Sequence, residues 1–146
     1  MTSISRFLSD DHSACDDRFA AAENAVAAKD WTQARAEFDA FNLSMQRHFA
    51  MEEDVLFPAF ETRTGMSGGP TSVMRAEHAQ MKGLLAQMAA ALAGAEPQSY
   101  LGLSETLLML MRQHNMKEEN ILYPMSDQAL APDQPDLIQR MTAISA

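Results

Sequence analysis

The chain has little of what disulfide-linked, membrane-spanning or nucleic-acid-binding proteins need. Its 146 residues include one cysteine, so an internal disulfide framework is impossible and a reducing compartment is expected. No run approaches the roughly 18 apolar residues of a membrane span, and the N-terminus lacks a basic-then-apolar signal region. Lysine and arginine total 11 against 20 acidic residues, and the net charge of −9 disfavours binding to phosphate backbones. We therefore expect a cytoplasmic protein that binds neither nucleic acid nor membrane.

Glycine and proline are also scarce, at six residues each, which argues against a turn-rich β-sandwich. Methionine is abundant, at 12 residues, and it is both a good helix former and an adaptable core residue. Four long segments carry apolar residues at alternating spacings of three and four, the pattern of amphipathic helices. With short connections, they predict an all-α fold: an antiparallel, up-down four-helix bundle in one domain, residues 1–146. A short C-terminal helix is expected over about residues 136–144.

Local signals indicate where the long helices begin and where they are interrupted. Asp30 starts a sequence that resembles a capping box and should open the second helix. Pro70 and Pro97 suit the first position of the third and fourth helices. Pro58 and Pro124 are expected to kink or end the second and fourth helices, because proline lacks the backbone N–H that the helix needs.

The chain also repeats itself at an offset of 66 residues. The segment MQRHFAMEEDVLFP, residues 45–58, aligns without gaps on MRQHNMKEENILYP, residues 111–124. The same offset takes the pair Asp11-His12 to the pair Glu77-His78. The bundle is therefore expected to consist of two helical hairpins related by a pseudo-twofold axis.

All four histidines and two glutamates lie on the apolar stripes of these predicted helices. Residues four apart share a helix face, so Glu52 should point the same way as His48, and Glu118 the same way as His114. The sequence thus predicts polar, ionisable side chains that face the interior of the bundle.

Within each predicted hairpin, the two histidines are equally far from the turn. The separation is 18 residues, or about 27 Å along a helix, for His12 paired with His48 and for His78 paired with His114. Each pair should therefore be level, and the pseudo-twofold axis can bring both pairs into one layer of the core.

Burying four imidazoles and two carboxylates is costly unless they are paired or bound to metal. Without a thiolate, this set suits iron or manganese; zinc is possible, but six ligands exceed a closed tetrahedral zinc site. Two irons fit if each takes two histidines and both glutamates bridge. A bridging oxide or hydroxide then leaves one open position per iron for water, O2, NO or peroxide. The alternative is a hydrogen-bonded polar core without metal. The predicted metal ligands are His12, His48, Glu52, His78, His114 and Glu118.

This pattern of histidines and two HxxxE motifs resembles the hemerythrin-like (HHE cation-binding) family over about residues 4–124. The resemblance implies a four-helix bundle around an oxo- or carboxylate-bridged, non-haem diiron centre. It also implies a protein that carries or senses O2, responds to nitric oxide, or acts in iron handling and oxidative stress.

The sequence departs from the oxygen-carrying hemerythrins that it resembles. Those proteins have a fifth histidine one turn before the one matching His78, where this chain has Met74. They also place their last carboxylate five residues after its histidine, whereas Glu118 follows His114 by four. The set resembles more closely the branch concerned with iron-centre repair and nitric-oxide stress, so simple reversible O2 storage is not the leading expectation.

Several neighbours of the predicted ligands have open roles. Glu53 and Glu119 follow a histidine by five residues and should point about 140° away from it, at the surface or behind the ligands, unless a π-bulge brings them to the metal. Asp11 and Glu77 precede ligand histidines, and either face solvent or orient a metal-bound histidine. Cys15 is expected to be a small core residue rather than a ligand.

The predicted function is binding of a small diatomic ligand, O2 or NO, at the diiron centre, for sensing, scavenging or stress response. One alternative is a diiron enzyme, an oxidase, peroxidase or NO-reducing protein that uses the same open positions. Another is an iron-donating, repair or storage protein. A sensor module for a partner protein is a further alternative. The oligomeric state is not predicted.

Overall fold

Helices form nearly the whole chain, and no strand occurs among residues 2–145, which the computed structural model of the protein describes. The all-α prediction is therefore confirmed. Two short π-helical segments interrupt the α-helices. The α-helices are α1 (Ile4–Ala27), α2 (Trp31–Ala50), α3 (Phe57–Thr64), α4 (Pro70–Ala93), α5 (Pro97–Lys117), α6 (Tyr123–Ala129) and α7 (Gln134–Thr142). The π-helical segments are Met51–Leu56 and Glu118–Leu122, and a 3₁₀ turn covers Ala131–Asp133.

The long helices begin where local chemistry predicts. The Asp30 side chain accepts a hydrogen bond from the backbone N–H of Gln33, which caps the start of α2. Helices α4 and α5 start at Pro70 and Pro97, where the missing proline N–H costs nothing. These predicted starting points are confirmed.

The two hairpin turns share one backbone conformation, as the repeat predicts. Lys29 between α1 and α2 has φ 57°, and Ala95 between α4 and α5 has φ 51°. The two residues are 66 positions apart. Each lies in the left-handed region and lets the chain reverse within a few residues of the preceding helix end.

The helices do not end at Pro58 and Pro124. Each proline is the second residue of an α-helix that directly follows a π-helical segment. The backbone N–H of Phe57 donates to the carbonyl of Glu52, and that of Tyr123 to the carbonyl of Glu118, both five residues back. The helix thus widens by one residue just before the proline and continues, so the interruption predicted at each proline is a π-helical turn rather than an end.

The long helices pack as a ring of neighbours. Helix α1 contacts α2 and α5, and α4 contacts α5 and α2. The C-terminal helix α7 contacts α1 and the first π-helical segment, and buries Leu137 and Met141. It starts and ends two residues earlier than predicted. Arg47 of α2 holds the chain end through an Nε–H bond of 2.9 Å to the carbonyl of Ile144.

Two apolar clusters fill the bundle. The turn-side cluster includes Phe19, Phe38, Leu85 and Leu107. The opposite cluster, here called the distal cluster, includes residues of α1, α3, α6 and α7 and of both π-helical segments. On α1, α2, α4 and α5, the single histidine of each helix lies in sequence between residues of the two clusters. The histidines therefore form a polar layer between two apolar halves.

Candidate metal centre

The structure brings the six predicted ligand side chains together in this layer. The histidines come from four different helices, and the glutamates from the two π-helical segments. None of the six residues is more than 5% exposed. The ring centroids of His12 and His48 are 4.6 Å apart, and those of His78 and His114 are 4.9 Å apart. The prediction that the histidines of each hairpin are level is confirmed.

Each of the two glutamates lies between two imidazoles. Oε1 of Glu52 is 3.0 Å from Nε2 of His78 and 3.5 Å from Nε2 of His48. Oε1 of Glu118 is 3.1 Å from Nε2 of His12 and from Nε2 of His114. Each carboxylate therefore joins a histidine of its own helix to a histidine of the other hairpin.

Two groups of these side chains could hold a metal ion, with all donor atoms in a group within 4.8 Å of one another. One group, here called the first position, is formed by Glu52, His78, His114 and Glu118. The other, called the second position, is formed by His12, His48 and Glu118. Each position has two histidines and Glu118 belongs to both, as expected for a bridging carboxylate.

Four buried polar atoms have no hydrogen-bond partner among the described residues. They are Oε1 of Glu52, Nε2 of His78, Nε2 of His114 and Oε2 of Glu118, all residues of the first position. The first two of these atoms are 3.0 Å apart, but they are not aligned as a hydrogen bond. Unpaired buried polar atoms are costly and rare. A cation bound among them would satisfy all four, so the residues present fit a metal.

Each histidine also has an acidic partner on its outer nitrogen, contributed by another helix or π-helical segment. The separations from Nδ1 to the carboxylate oxygen are 2.6–2.8 Å. The pairs are His12 with Glu119, His48 with Asp11, His78 with Glu53 and His114 with Glu77. A carboxylate there favours a proton on Nδ1, which leaves the Nε2 lone pair directed into the layer for a metal.

Glu53 and Glu119 lie behind the ligands, which is one of the two positions predicted for them. Both belong to π-helical segments, and each contacts the outer nitrogen of an imidazole from another helix. Asp11 and Glu77 orient histidines, which was one of their two predicted roles. Lys117 also pairs with Glu77 and partly neutralises it.

Burial and neighbouring charges act in opposite directions on the ionisable groups of this layer. Burial disfavours protonation of His48, but Glu52 and Asp11 outweigh it and raise the pKa of His48 to about 10. Burial acts likewise on His114, and Glu118 raises its pKa. The pKa of Glu52 is well below its usual range, because His48 outweighs the effect of burial. Without metal, the neighbouring carboxylates favour the protonated form of His48 and of His114, so metal binding must displace protons there.

Tyr123 is the functional candidate that sequence reasoning missed. Its hydroxyl lies 2.6 Å from Oε2 of Glu52 and 3.0 Å from Oε1 of Glu118. Burial and these two carboxylates raise the pKa of Tyr123 well above its usual value. The aligned repeat contained the signal, because Tyr123 stands where the other half has Phe57. Phe57 stacks on the His78 ring at 5.6 Å and has no hydroxyl.

Sulfur-bearing side chains line the turn side of the layer. Cys15, Met45, Met81 and Met111 are each three residues from a histidine, toward the turn, and each is at most 4% exposed. Together with three of the histidines they line a cavity of about 10 Å³, roughly the space of one water molecule. Burial raises the pKa of the Cys15 thiol to about 12, so it remains a neutral core residue.

Comparison with known proteins yields one family match. The model of the hemerythrin HHE cation binding domain matches residues 3–126 of the 146. No curated protein and no solved structure matches the chain significantly. Among residues 2–145, no helix is both long and apolar enough to cross a membrane.

Proposed function

Because the chain belongs to the hemerythrin HHE cation-binding domain family, we propose that it is a non-haem diiron protein that binds O2 or NO. The proposed ligands are the six residues of the buried layer: His12, His48, Glu52, His78, His114 and Glu118. The proposal includes a single domain in which the four long helices alternate in direction, and an oxo or hydroxo bridge between the irons. A cytoplasmic location remains an expectation from composition.

The observation that carries this proposal is the orientation of the four imidazoles. Each Nδ1 is held by its own carboxylate, so all four Nε2 atoms face the inner side of the layer, where a metal could bind them. Such an arrangement preorganises the ligands for two cations, with two histidines each. Imidazole and carboxylate without thiolate favour iron or manganese over structural zinc. In this family, iron is the cation that we expect.

The surroundings support a small ligand rather than an organic substrate. The cavity beside the layer has room for about one water molecule, and its lining combines three of the histidines with sulfur-bearing and aromatic side chains. O2 and NO are close to that size and need no hydrogen-bonding side chains for recognition. A larger substrate would require the bundle to open.

The residues of the chain have separable tasks in this proposal. The six ligands supply fixed donors, and bound iron supplies the redox chemistry and the open positions for a small ligand. The four outer carboxylates keep the imidazoles in register and take up the positive charge of the Nδ1–H groups. The turn-side and distal clusters exclude bulk water, which strengthens every electrostatic interaction in the layer.

Metal analysis of the purified protein tests the proposal. We expect about two irons per chain after iron-replete expression or anaerobic loading with ferrous iron, and near-ultraviolet oxo-to-iron absorption after oxidation. The reduced protein should change its visible spectrum on exposure to NO or O2. One tightly bound zinc per chain, unchanged by iron-replete expression, would contradict the proposal. Rapid multiple turnover of peroxide or NO with an electron donor would instead favour the enzyme alternative.

A further inference from the structure

We propose that Tyr123 is a seventh protein ligand of the metal centre, donating its phenol oxygen to the metal at the second position. The inference rests on the proposed diiron function and makes it more specific. It implies that the two metals differ chemically, although the chain around them is nearly symmetric.

The first argument is the position of the hydroxyl. The Tyr123 oxygen lies 3.2 Å from Nε2 of His12, 3.4 Å from Nε2 of His48 and 3.0 Å from Oε1 of Glu118. These three residues form the second position. A metal bound by the three atoms must lie close to all of them, and the phenol oxygen is already within 3.4 Å of each. The phenol oxygen therefore already lies among the donor atoms of the second position.

The second argument is the number of groups around one hydroxyl. Besides these three atoms, Oε2 of Glu52 is 2.6 Å away. A hydroxyl offers one proton and two lone pairs, so it cannot satisfy two carboxylates and two imidazoles together in a neutral hydrogen-bond network. A convergence of four metal-binding side chains on one buried oxygen is the arrangement expected of a ligand.

The third argument is the difference between the two positions. The first position has four protein donors, and all four of the unpartnered buried atoms belong to its residues. The second has three donors, and the Tyr123 oxygen supplies a fourth. Tyr123 stacks on His12 at 5.6 Å just as Phe57 stacks on His78 at 5.6 Å. The ring positions are thus equivalent, and only the second position gains an oxygen.

Coordination replaces one bond of the Tyr123 oxygen with another. The O–H bond breaks, an oxygen–metal bond forms, and the proton leaves to solvent, as protons do when metals bind to protein ligands. The phenolate is a hard, anionic donor, so it should favour the ferric state at the second position over the first. The two irons should therefore be reduced at different potentials.

The test is spectroscopy of the oxidised, iron-loaded protein. A ferric phenolate produces a visible charge-transfer band and ring vibrations that are enhanced in resonance Raman spectra. We expect both in the wild type and both to be lost in Tyr123→Phe, with the iron content largely retained. Tyr100→Phe is the matched control, because Tyr100 is the other tyrosine of the chain and lies buried in the turn-side cluster. It should keep both signals.

Isotopic labelling covers the case in which Tyr123→Phe does not fold. In Tyr100→Phe, Tyr123 is the only tyrosine left. Growth on ring-deuterated tyrosine should then shift the enhanced vibrations of this variant. Two bound irons without phenolate signals, or signals that persist in Tyr123→Phe, would overturn the role of Tyr123 and leave the diiron proposal standing. Failure to bind iron at all would overturn both.

Discussion

Neutralising Glu53 tests whether the outer carboxylates hold the metal centre together. Oε2 of Glu53 lies 2.7 Å from Nδ1 of His78, and the ring of His78 is 1% exposed. Glu53→Gln keeps the shape of the side chain but removes the charge that orients this imidazole. Loss of such a partner typically lowers metal affinity by about 10- to 100-fold, or about 1.4–2.7 kcal/mol. We expect Gln near the lower value and Glu53→Ala near the upper.

The adjacent residue provides the matched control. Asp54 lies in the same π-helical segment but is exposed, so Asp54→Asn removes the same charge without touching an imidazole. The assay is anaerobic competition for ferrous iron between each variant and a coloured chelator, with circular dichroism to check folding. Equal affinities for Glu53→Ala and wild type would refute the reasoning, as would an equal loss in Asp54→Asn. The second result would mean that the net charge of the protein, and not the contact of Glu53 with His78, determines the affinity for iron.

Three further predictions concern the ligands, pH and Met74. Glu52→Ala or Glu118→Ala should remove most of the iron and lower the melting temperature, because each carboxylate joins two imidazoles. Elemental analysis measures the iron content and calorimetry the melting temperature. Full retention of iron would contradict the assignment of these residues as ligands. The pKa of His48 is about 10 in the folded protein and 6.5 when the chain is unfolded. Protonation of His48 therefore stabilises the metal-free protein. This stabilisation is complete below pH 6.5 and is lost as the pH rises through 10. The lowered pKa of Glu52 adds stability above about pH 4.5 that is lost on acidification. Urea midpoints should therefore be highest between about pH 4.5 and 6.5, and midpoints that do not fall from pH 6.5 to 10 would refute the argument. Met74→His should slow autoxidation, because the new imidazole, one turn before His78, can fill an open coordination position of the iron. Stopped-flow absorbance after anaerobic reduction and exposure to O2 measures the rate. A wild-type oxygenated complex that is stable for many minutes would contradict this prediction.

The sequence could predict the helices and the convergence of the six side chains because both follow from regular α-helical geometry. His48 and Glu52 share a face because they are four residues apart and Glu52 lies at the start of its π-helical segment. The histidines of each hairpin are level because they are equally far from the turn. These arguments need only the helix repeat and rise. They hold wherever the backbone stays regular, which covers most of α1, α2, α4 and α5.

The sequence left two positions open for Glu53 and Glu119, because helical periodicity gives the direction of a side chain on its own helix but not the neighbour that it meets. Both glutamates lie behind the ligands and contact imidazoles of other helices. Periodicity arguments assume 3.6 residues per turn and fail where one extra residue is inserted. The sequence signal for the two π-helical segments is a proline six residues after each glutamate of the HxxxE motif, at positions 58 and 124. A proline inside a continuing helix demands a local change in the hydrogen-bond ladder.

The internal repeat also provides a way to separate shared chemistry from specialised chemistry. The outer carboxylates obey the 66-residue offset: the contact of Asp11 with His48 recurs as that of Glu77 with His114. A feature present in both halves can serve each metal alike. By contrast, position 57 of one half is phenylalanine, and the equivalent position 123 of the other half is tyrosine. The tyrosine oxygen contacts four predicted ligand side chains. Because the rings stack equivalently, packing alone does not require that oxygen. We therefore attribute this buried hydroxyl to the chemistry of the centre. As the proposed ligand, it would make the two candidate metal positions behave differently.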